Sequence, residues 1–176
     1  MADADEHEPA GTDESDGVTG SDGVTGSDGA DGTSGSLDDT YVAAIQHELV
    51  DLPSETTRVG VVRKPTRWFH GAVDENRPEL GPPADLLETF RQREEDFKMQ
   101  GLCEEGAHNA AWDEVGFEDA YRAHLEGSEG AQAALEELES RLEDGESLAL
   151  VCYENTEKKR CHRTILRDVL SDRRSS

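Results

Sequence analysis

The sequence predicts an α/β fold: a single compact domain with a small, mostly parallel sheet flanked by helices, preceded by a disordered acidic N-terminal tail. Short apolar runs at 57–62 and 147–153 suit buried strands, and between them apolar residues recur every three or four positions, as in helices. Alternating strands and helices are typical of α/β folds, and a right-handed crossover makes the two strands parallel. A chain of 176 residues has room for one domain of ordinary size.

The first part of the chain has a composition unlike the rest. Residues 1–40 contain twelve acidic residues and eight glycines but no lysine or arginine, and the hexad Ser-Asp-Gly-Val-Thr-Gly repeats from Ser15. So few apolar side chains cannot bury enough surface to offset the entropy of the chain. We therefore predict a disordered leader over 1–36, the α/β domain over 37–171 and a C-terminal tail over 172–176.

The next elements are strands and a loop. Residues 40–49 are compatible with either a short strand or a helix, and the pattern does not choose between them. Residues 57–62 form a β-branched apolar run that ends before Pro65, which favours extended backbone at the residue preceding it. Aromatic residues and prolines then predict a long structured loop over 66–83.

Five helices are predicted after that loop. A double proline marks the beginning of the first, a serine caps the fourth, and a glycine ends it. The strand at 147–153 separates the fourth helix from the fifth. The helices are expected to start at Ala84, to cover 107–112 and 117–125, to extend from Ser128 to Gly145, and to cover 161–170.

The charge of the chain indicates its cellular location and the classes of partner that it can bind. The formal net charge is −24, with thirteen arginines and only four lysines, which resembles a halophilic cytosolic protein with an acidic surface. In molar salt the Debye length falls to about 3 Å, so the net charge does not exclude phosphate-bearing partners. The acidic N-terminus is no signal peptide, and no run of about 18 apolar residues occurs. We expect a cytoplasmic protein with no membrane partner.

Basic residues cluster after the two strongest predicted strands. Arg63, Lys64 and Arg67 follow the first strand, while 158–160 and Arg163 follow the second. The carboxyl ends of parallel strands open at one edge of the sheet, where ligands of α/β folds bind, and the amides that begin the last helix favour anions. We expect Arg63, Lys64, Arg67 and Arg163 to bind a phosphate or another oxyanion. The alternative is a solvated basic loop, with Arg63 paired to an acid.

The cysteines near the same edge allow three interpretations. In the first, Cys161 begins a helix, where a thiol pKa is lowered, and is a catalytic nucleophile with His162 as its base and Glu154 nearby. In the second, Cys152, Cys161 and His162, with or without Cys103, bind zinc, although the spacing is not the usual one. In the third, the cysteines are small buried residues that pack the strand against the helix.

Another polar segment precedes these residues in the chain. His108 and Asn109 follow a glycine and are close in sequence to Trp112. They either reach into the same cleft or belong to a short helix whose tryptophan packs in the core. The sequence leaves both alternatives open.

The residues around the cysteines resemble a known family. The run Leu-Ala-Leu-Val-Cys-Tyr-Glu at 148–154, followed by a charged loop and Cys-His-Arg at 161–163, is similar to the C-terminal signature of the DUF488 family of domains of unknown function. The run Arg-Val-Gly-Val-Val-Arg at 58–63 resembles the early strand of that family, and the resemblance extends over about 38–171. It implies a compact α/β domain, and it implies a site formed by Arg63, Cys152, Glu154, Cys161, His162 and Arg163.

Taken together, these features predict a cytosolic domain that binds or acts on a phosphate-bearing ligand, either a nucleotide or a nucleic acid. Positive charge beside a cysteine at a sheet edge is the observation on which this prediction depends. The alternative is a metal-stapled or plain protein-interaction module without catalysis. Zinc is the cofactor that the cysteines and histidine suggest.

Overall fold

The computed structural model describes residues 34–176, so most of the leader predicted over 1–36 lies outside the described residues. This part of the chain contains four strands and six α-helices, with four of the helices in succession between the third and fourth strands. The strands are β1 (Leu37–Tyr41), β2 (Thr57–Gly60), β3 (Glu75–Asn76) and β4 (Leu148–Cys152). The helices are α1 (Val42–Gln46), α2 (Ala84–Met99), α3 (Glu104–Glu114), α4 (Phe117–Gly127), α5 (Glu129–Glu143) and α6 (His162–Arg174).

The strands form one parallel sheet in the order β1-β4-β2-β3. The α/β fold class and the parallel pairing of the two strongest strands are thereby confirmed. Strand β4 lies between β1 and β2, and all five of its residues are buried, as expected for a strand with neighbours on both sides. Tyr41 is in register with Cys152, and Gly60 is in register with Val151. The carboxyl ends of the three strands therefore meet at one edge.

Three elements differ from the sequence prediction. Residues 40–49 contain both alternatives, since β1 ends at Tyr41 and α1 begins at Val42. The predicted strand over 57–62 ends at Gly60, although Val61 still donates a hydrogen bond to the β4 carbonyl of Val151 at 3.0 Å. The loop over 66–83 contains two short 3₁₀ turns and β3. A two-residue strand is defined by its pairing partner, so no local pattern predicts it.

Helix boundaries follow local capping chemistry. Helix α2 begins at Ala84 as predicted, and the Ser128 hydroxyl accepts a hydrogen bond from the Ala131 amide at the start of α5. Gly145 has φ 91, the left-handed conformation that ends a helix. Helix α3 begins earlier than predicted, because Cys103 caps it: its sulfur accepts from the Gly106 amide.

The last helix continues to Arg174, past the predicted end at residue 170. One ion pair and one hydrogen bond hold its final turn. Arg173 pairs with Glu139 at 3.0 Å, and Arg174 donates a hydrogen bond to the carbonyl of Gly35. These contacts join α6 to α5 and to the segment before β1. They are tertiary contacts, so the sequence pattern alone does not show them.

The core lies between the sheet and the helices. Leu150 and Val151 of β4 are fully buried, as are Leu135 and Leu138 of α5 and Leu166 of α6. Burial of each large aliphatic side chain stabilises the fold by about 1.5–3 kcal/mol. Over the described range 34–176, no helix combines the length and the apolar character needed to cross a membrane.

Candidate functional site

A pocket of about 400 Å³ opens at the carboxyl edge of the sheet, and we refer to it as the edge pocket. Its walls come from the ends of β2 and β4, from α2 and α3, and from the loop that leads into α6. Its apolar lining includes Leu87, Phe90 and Trp112. Six cationic side chains and three carboxylates complete the lining: Arg63, Lys64, Arg91, Lys98, Lys159 and Arg160, with Glu94, Glu104 and Glu154.

Two reduced cysteines lie at the base of the edge pocket. Cys152 is the last residue of β4, and Cys161 is the residue that immediately precedes α6. Their sulfur atoms are 2.7 Å apart, and the residues are only 2% and 5% exposed. The strand-to-helix packing predicted for the cysteines is present, and the pair also contacts the pocket.

Arg163 lies behind the cysteines rather than in the wall of the edge pocket. It is 1% exposed, and its guanidinium donates to the Cys152 sulfur at 3.2 Å and to the Asp39 carboxylate at 2.8 Å. The same guanidinium also donates hydrogen bonds to the Glu154 carbonyl and the Thr156 hydroxyl. The sequence suggested that Arg163 binds an anion, but in the structure its donors are directed at protein acceptors instead. Its position is that of a residue that orients and neutralises Cys152.

The environments of the two sulfurs differ. Burial raises the pKa of Cys152, but the hydrogen bond from Cys161, the charge of Arg163 and the Glu154 amide together hold that pKa below its ordinary value. Burial, the hydrogen bond with Cys152 and the negative charge on it raise the pKa of Cys161 well above its ordinary value. The opposite directions of the two shifts make Cys152 the more readily ionised thiol of the pair, with Cys161 as the neutral partner. These pKa directions favour Cys152 as the nucleophilic thiol, whereas the sequence suggested Cys161 for that role.

His162 is held by the end of β2. Its Nε2 donates to the Val61 carbonyl at 2.8 Å, which leaves Nδ1 as the acceptor nitrogen, 3.7 Å from the Cys161 sulfur. Burial, together with Arg163, lowers the pKa of His162 to about 4 despite that hydrogen bond. The ring of Tyr121 packs edge-on against it at 5.4 Å. His162 is neutral at pH 7 and so weakly basic that proton abstraction from Cys161 is not favoured.

Glu154 and Lys159 form an ion pair in the lining of the edge pocket. The Glu154 carboxylate, 39% exposed, lies 3.7 Å from the Lys159 ammonium, which also pairs with Glu104 at 2.7 Å. Glu154, which the sequence suggested as a catalytic group, thus shares the pocket lining with Cys152. Its backbone amide contributes as well, since it favours the Cys152 thiolate.

The basic residues after β2 divide into two sets. Arg63 and Lys64 line the edge pocket, as expected for anion-binding residues, whereas the exposed Arg67 is outside the lining. Arg63 donates from Nε to the Pro82 carbonyl at 2.6 Å and from Nη2 to the Gly81 carbonyl at 3.0 Å. A Cβ atom at position 81 would lie 2.5 Å from the backbone nitrogen of Arg63, so only glycine allows the two backbone segments to lie this close together.

Helix α3 supports the loop between β4 and α6. Nε2 of His108 lies 2.9 Å from the Arg160 carbonyl, and Asn109 binds the loop twice, at the Lys158 carbonyl and the Arg160 amide. His108 and Trp112 line the edge pocket, while Asn109 lies outside the lining. Both alternatives for this segment are thus partly correct, since α3 is a helix whose tryptophan is buried and whose histidine faces the pocket.

The residues proposed for zinc do not fit a zinc site. Among residues 34–176, no group of three or more His, Cys, Asp or Glu side chains is arranged to hold a metal ion. The His162 nitrogen nearest the thiols is 3.7 Å from Cys161, its other nitrogen binds a carbonyl, and Cys103 is exposed at the start of α3. Cys152, Cys161 and His162 are therefore assigned to a hydrogen-bonded thiol site.

Sequence reasoning missed two contributors to the site. Asp39 of β1 is the acidic partner of Arg163, from which it is separated by 124 positions in the chain. Helix α2 supplies Arg91, Glu94 and Lys98 to the edge pocket. Their spacing of three and four residues places them on one helix face, together with Leu87, and that periodicity was the signal available in the sequence.

Comparison with known proteins identifies a family and no individual relative. The search of curated proteins and the search of solved structures each return no match. The family model DUF488-N3a, described as the active DUF488-N3 subclade, matches residues 41–174, which is most of the chain and all of the edge pocket. The resemblance inferred from the cysteine-containing segments is thereby confirmed, and the chain belongs to the DUF488 family.

Proposed function

We propose that the edge pocket binds a phosphate-bearing ligand, a nucleotide or a nucleic-acid end, and presents it to the Cys152 thiolate. One observation carries the proposal: a thiolate-favouring cysteine lies at the base of a pocket with six cationic side chains. The pocket lies at the carboxyl edge of a parallel sheet, the usual ligand position in such folds. A volume of about 400 Å³ lies within the range of small-molecule sites.

The charge of the edge pocket supports an anionic ligand. The chain carries a formal charge of −24, yet the pocket lining has twice as many cationic side chains as carboxylates. Lys64 and Arg91 are exposed, and the described contacts include no acidic partner for either. Hydrogen bonds from such cations to phosphate oxygens are among the stronger polar contacts in proteins. These two residues are thus available to a ligand without breaking an existing ion pair.

The nature of the thiol supports a reactive role for Cys152. A thiolate is the nucleophilic form of cysteine, and Arg163 together with the Glu154 amide favours that form at the base of the pocket. Lys64 and Arg91 line the same pocket as Cys152, so a phosphate that they bind would share that pocket with the sulfur. Cys152 is accordingly the reactive or anchoring group, and Cys161 is its hydrogen-bond donor.

A matched set of charge variants tests the proposal. Lys64→Ala and Arg91→Ala each remove a cation that lines the edge pocket, and Arg67→Ala removes an exposed cation of the same loop that lies outside it. Binding of inorganic phosphate, pyrophosphate and a nucleoside monophosphate is measured by calorimetry at fixed ionic strength. Each pocket variant should weaken binding by about tenfold or more, because a charged hydrogen bond contributes about 1.5–3 kcal/mol.

The control defines what would contradict the proposal. Arg67→Ala should leave binding within about twofold, because salt screens charges that do not touch the ligand. An equal loss in all three variants would indicate only a general charge effect. If none of the three phosphate compounds binds, the proposal is wrong, and a protein-interaction role without catalysis becomes the better explanation.

A further inference from the structure

The two cysteines at the base of the edge pocket have a geometry that anion binding does not require. Their sulfurs are 2.7 Å apart, in direct contact, with both thiols reduced. A single thiolate near Arg163 would suffice for nucleophilic chemistry. The contact brings a second sulfur within bonding reach of the first, with only a small movement of either side chain.

The pair is asymmetric in the way that disulfide chemistry needs. Cys152 accepts a hydrogen bond from the Arg163 guanidinium at 3.2 Å, a contact that favours negative charge on this sulfur and makes it the first to be oxidised. The Cys161 sulfur lies 2.7 Å from the Cys152 sulfur and 3.7 Å from Nδ1 of the neutral His162 ring. The first cysteine is thus equipped to react and the second to resolve the product.

The position of the two sulfurs lets a small molecule reach them and keeps other protein chains away. Both sulfurs are almost wholly buried in the fold, but both residues line the edge pocket, so a molecule that enters the pocket reaches them. Cys103 is exposed at the start of α3 and is not part of the lining. A small neutral oxidant can therefore reach the pair, while a second protein chain cannot.

We propose that Cys152 and Cys161 are a redox-modification site, at which a hydroperoxide converts the thiol pair into a reversible disulfide. The Cys152 thiolate attacks the hydroxyl oxygen of the peroxide and the O–O bond breaks, so that a sulfenic acid forms and the departing alkoxide or hydroxide takes a proton from solvent water to become alcohol or water. The Cys161 sulfur then attacks the sulfenic sulfur, and its proton leaves with the departing hydroxide as water. The pair is oxidised by two electrons and the peroxide is reduced by two.

Oxidation has a consequence for the edge pocket that rests on the proposed function. The disulfide removes the thiolate that would face a bound ligand, so chemistry at Cys152 stops. The cations Lys64 and Arg91 are untouched. The oxidised protein should therefore retain binding of inorganic phosphate within a few-fold while losing reactivity at Cys152.

The test follows the thiols of the full chain with Cys103→Ser as background. The protein is exposed to hydrogen peroxide, excess reagent is removed, and remaining thiols are alkylated in denaturant and counted by peptide mass spectrometry. The expected result is loss of both thiols, a single intramolecular Cys152–Cys161 linkage, and full recovery with dithiothreitol. Either oxidation to sulfinic acid without a linkage, or two thiols that remain alkylatable, overturns the proposal.

Second-site variants separate the roles of the two sulfurs. With Cys161→Ser added, Cys152 should accumulate sulfenic acid, trapped by dimedone, and no disulfide. With Cys152→Ser added, Cys161 should be oxidised at least about tenfold more slowly, because it lacks thiolate character. Equal rates for the two would overturn the assignment of roles. These experiments contain no phosphate compound, so their result does not depend on whether the phosphate proposal is correct. Circular dichroism shows whether each variant is folded.

Discussion

Arg163 donates a hydrogen bond from Nη1 to the Cys152 sulfur at 3.2 Å, although its guanidinium is almost wholly buried. A buried arginine needs negative partners, and this one has the Asp39 carboxylate on its other side at 2.8 Å. The arrangement joins β1, β4 and α6 through charge. It also directs a positive charge at the sulfur from a residue that is not part of the edge-pocket lining.

This relationship predicts which cysteine reacts first. In the Cys103→Ser chain, iodoacetamide should alkylate Cys152 before Cys161, since the Cys161 hydrogen bond and Arg163 outweigh burial and lower the Cys152 pKa. The midpoint of the rate against pH should lie below that of the same thiol in the urea-unfolded chain. Peptide mass spectrometry identifies the labelled cysteine. Preferential labelling of Cys161 would restore it as the nucleophile.

The carboxylate behind Arg163 should be important for stability. Asp39→Asn leaves the buried guanidinium without its acidic partner and should lower the free energy of unfolding by about 3 kcal/mol. Arg167, 41% exposed, binds the same carboxylate, so Arg167→Ala is the matched control and should lower it by at most about 1 kcal/mol. Urea denaturation measures both, and equal losses would contradict a special role for the buried pair.

The environment of His162 predicts a pH dependence of stability. Burial lowers its pKa in the folded protein to about 4, so between about 6.5 and 4 the unfolded chain binds a proton that the folded protein does not. The free energy of unfolding should therefore fall as pH drops through that window, by about 1–3 kcal/mol. His162→Gln keeps a donor for the Val61 carbonyl and should flatten this decline. The same slope in both proteins would show that other groups cause it.

Asn109 should control the loop that leads to α6. Its side chain binds the Lys158 carbonyl at 3.0 Å and the Arg160 amide at 3.1 Å. Asn109→Ala should raise the rate of hydrogen exchange at the Arg160 amide by about tenfold, because one hydrogen bond contributes about 1 kcal/mol or somewhat more. Asp113→Asn, which weakens only the exposed contact with the Arg160 side chain, is the control. An unchanged rate in Asn109→Ala would mean that other contacts hold the loop.

The acidic composition predicts a response to salt. With a formal charge of −24, repulsion between carboxylates should destabilise the fold in dilute buffer, and molar KCl should screen it. The melting temperature should therefore be higher in molar KCl than in dilute KCl, as expected for a halophile-type protein. Betaine at the same osmolality is the control, because it adds no net charge for screening. A melting temperature that does not fall in dilute KCl contradicts the halophile interpretation.

Much of the fold could be predicted from local patterns. The apolar run of β4 and the serine cap at Ser128 predicted the elements that are observed there. These features depend on a few neighbouring residues, so they are visible in one segment at a time. Strand β3 was not predicted, because two residues become a strand only when β2 lies beside them.

The position of the site was also open to prediction, since Arg63 and Cys152 each follow a strand in a parallel sheet. The sequence by itself thus determined the α/β class and the cysteines at the carboxyl edge of that sheet. The tertiary structure decided which cysteine has the lowered pKa and that the Arg163 guanidinium is directed at protein acceptors rather than at the edge pocket. A pKa and an ion pair depend on burial and on distances of a few ångströms, and Asp39, the partner that orients Arg163, is far away in the chain. Such distances exist only after the chain has folded.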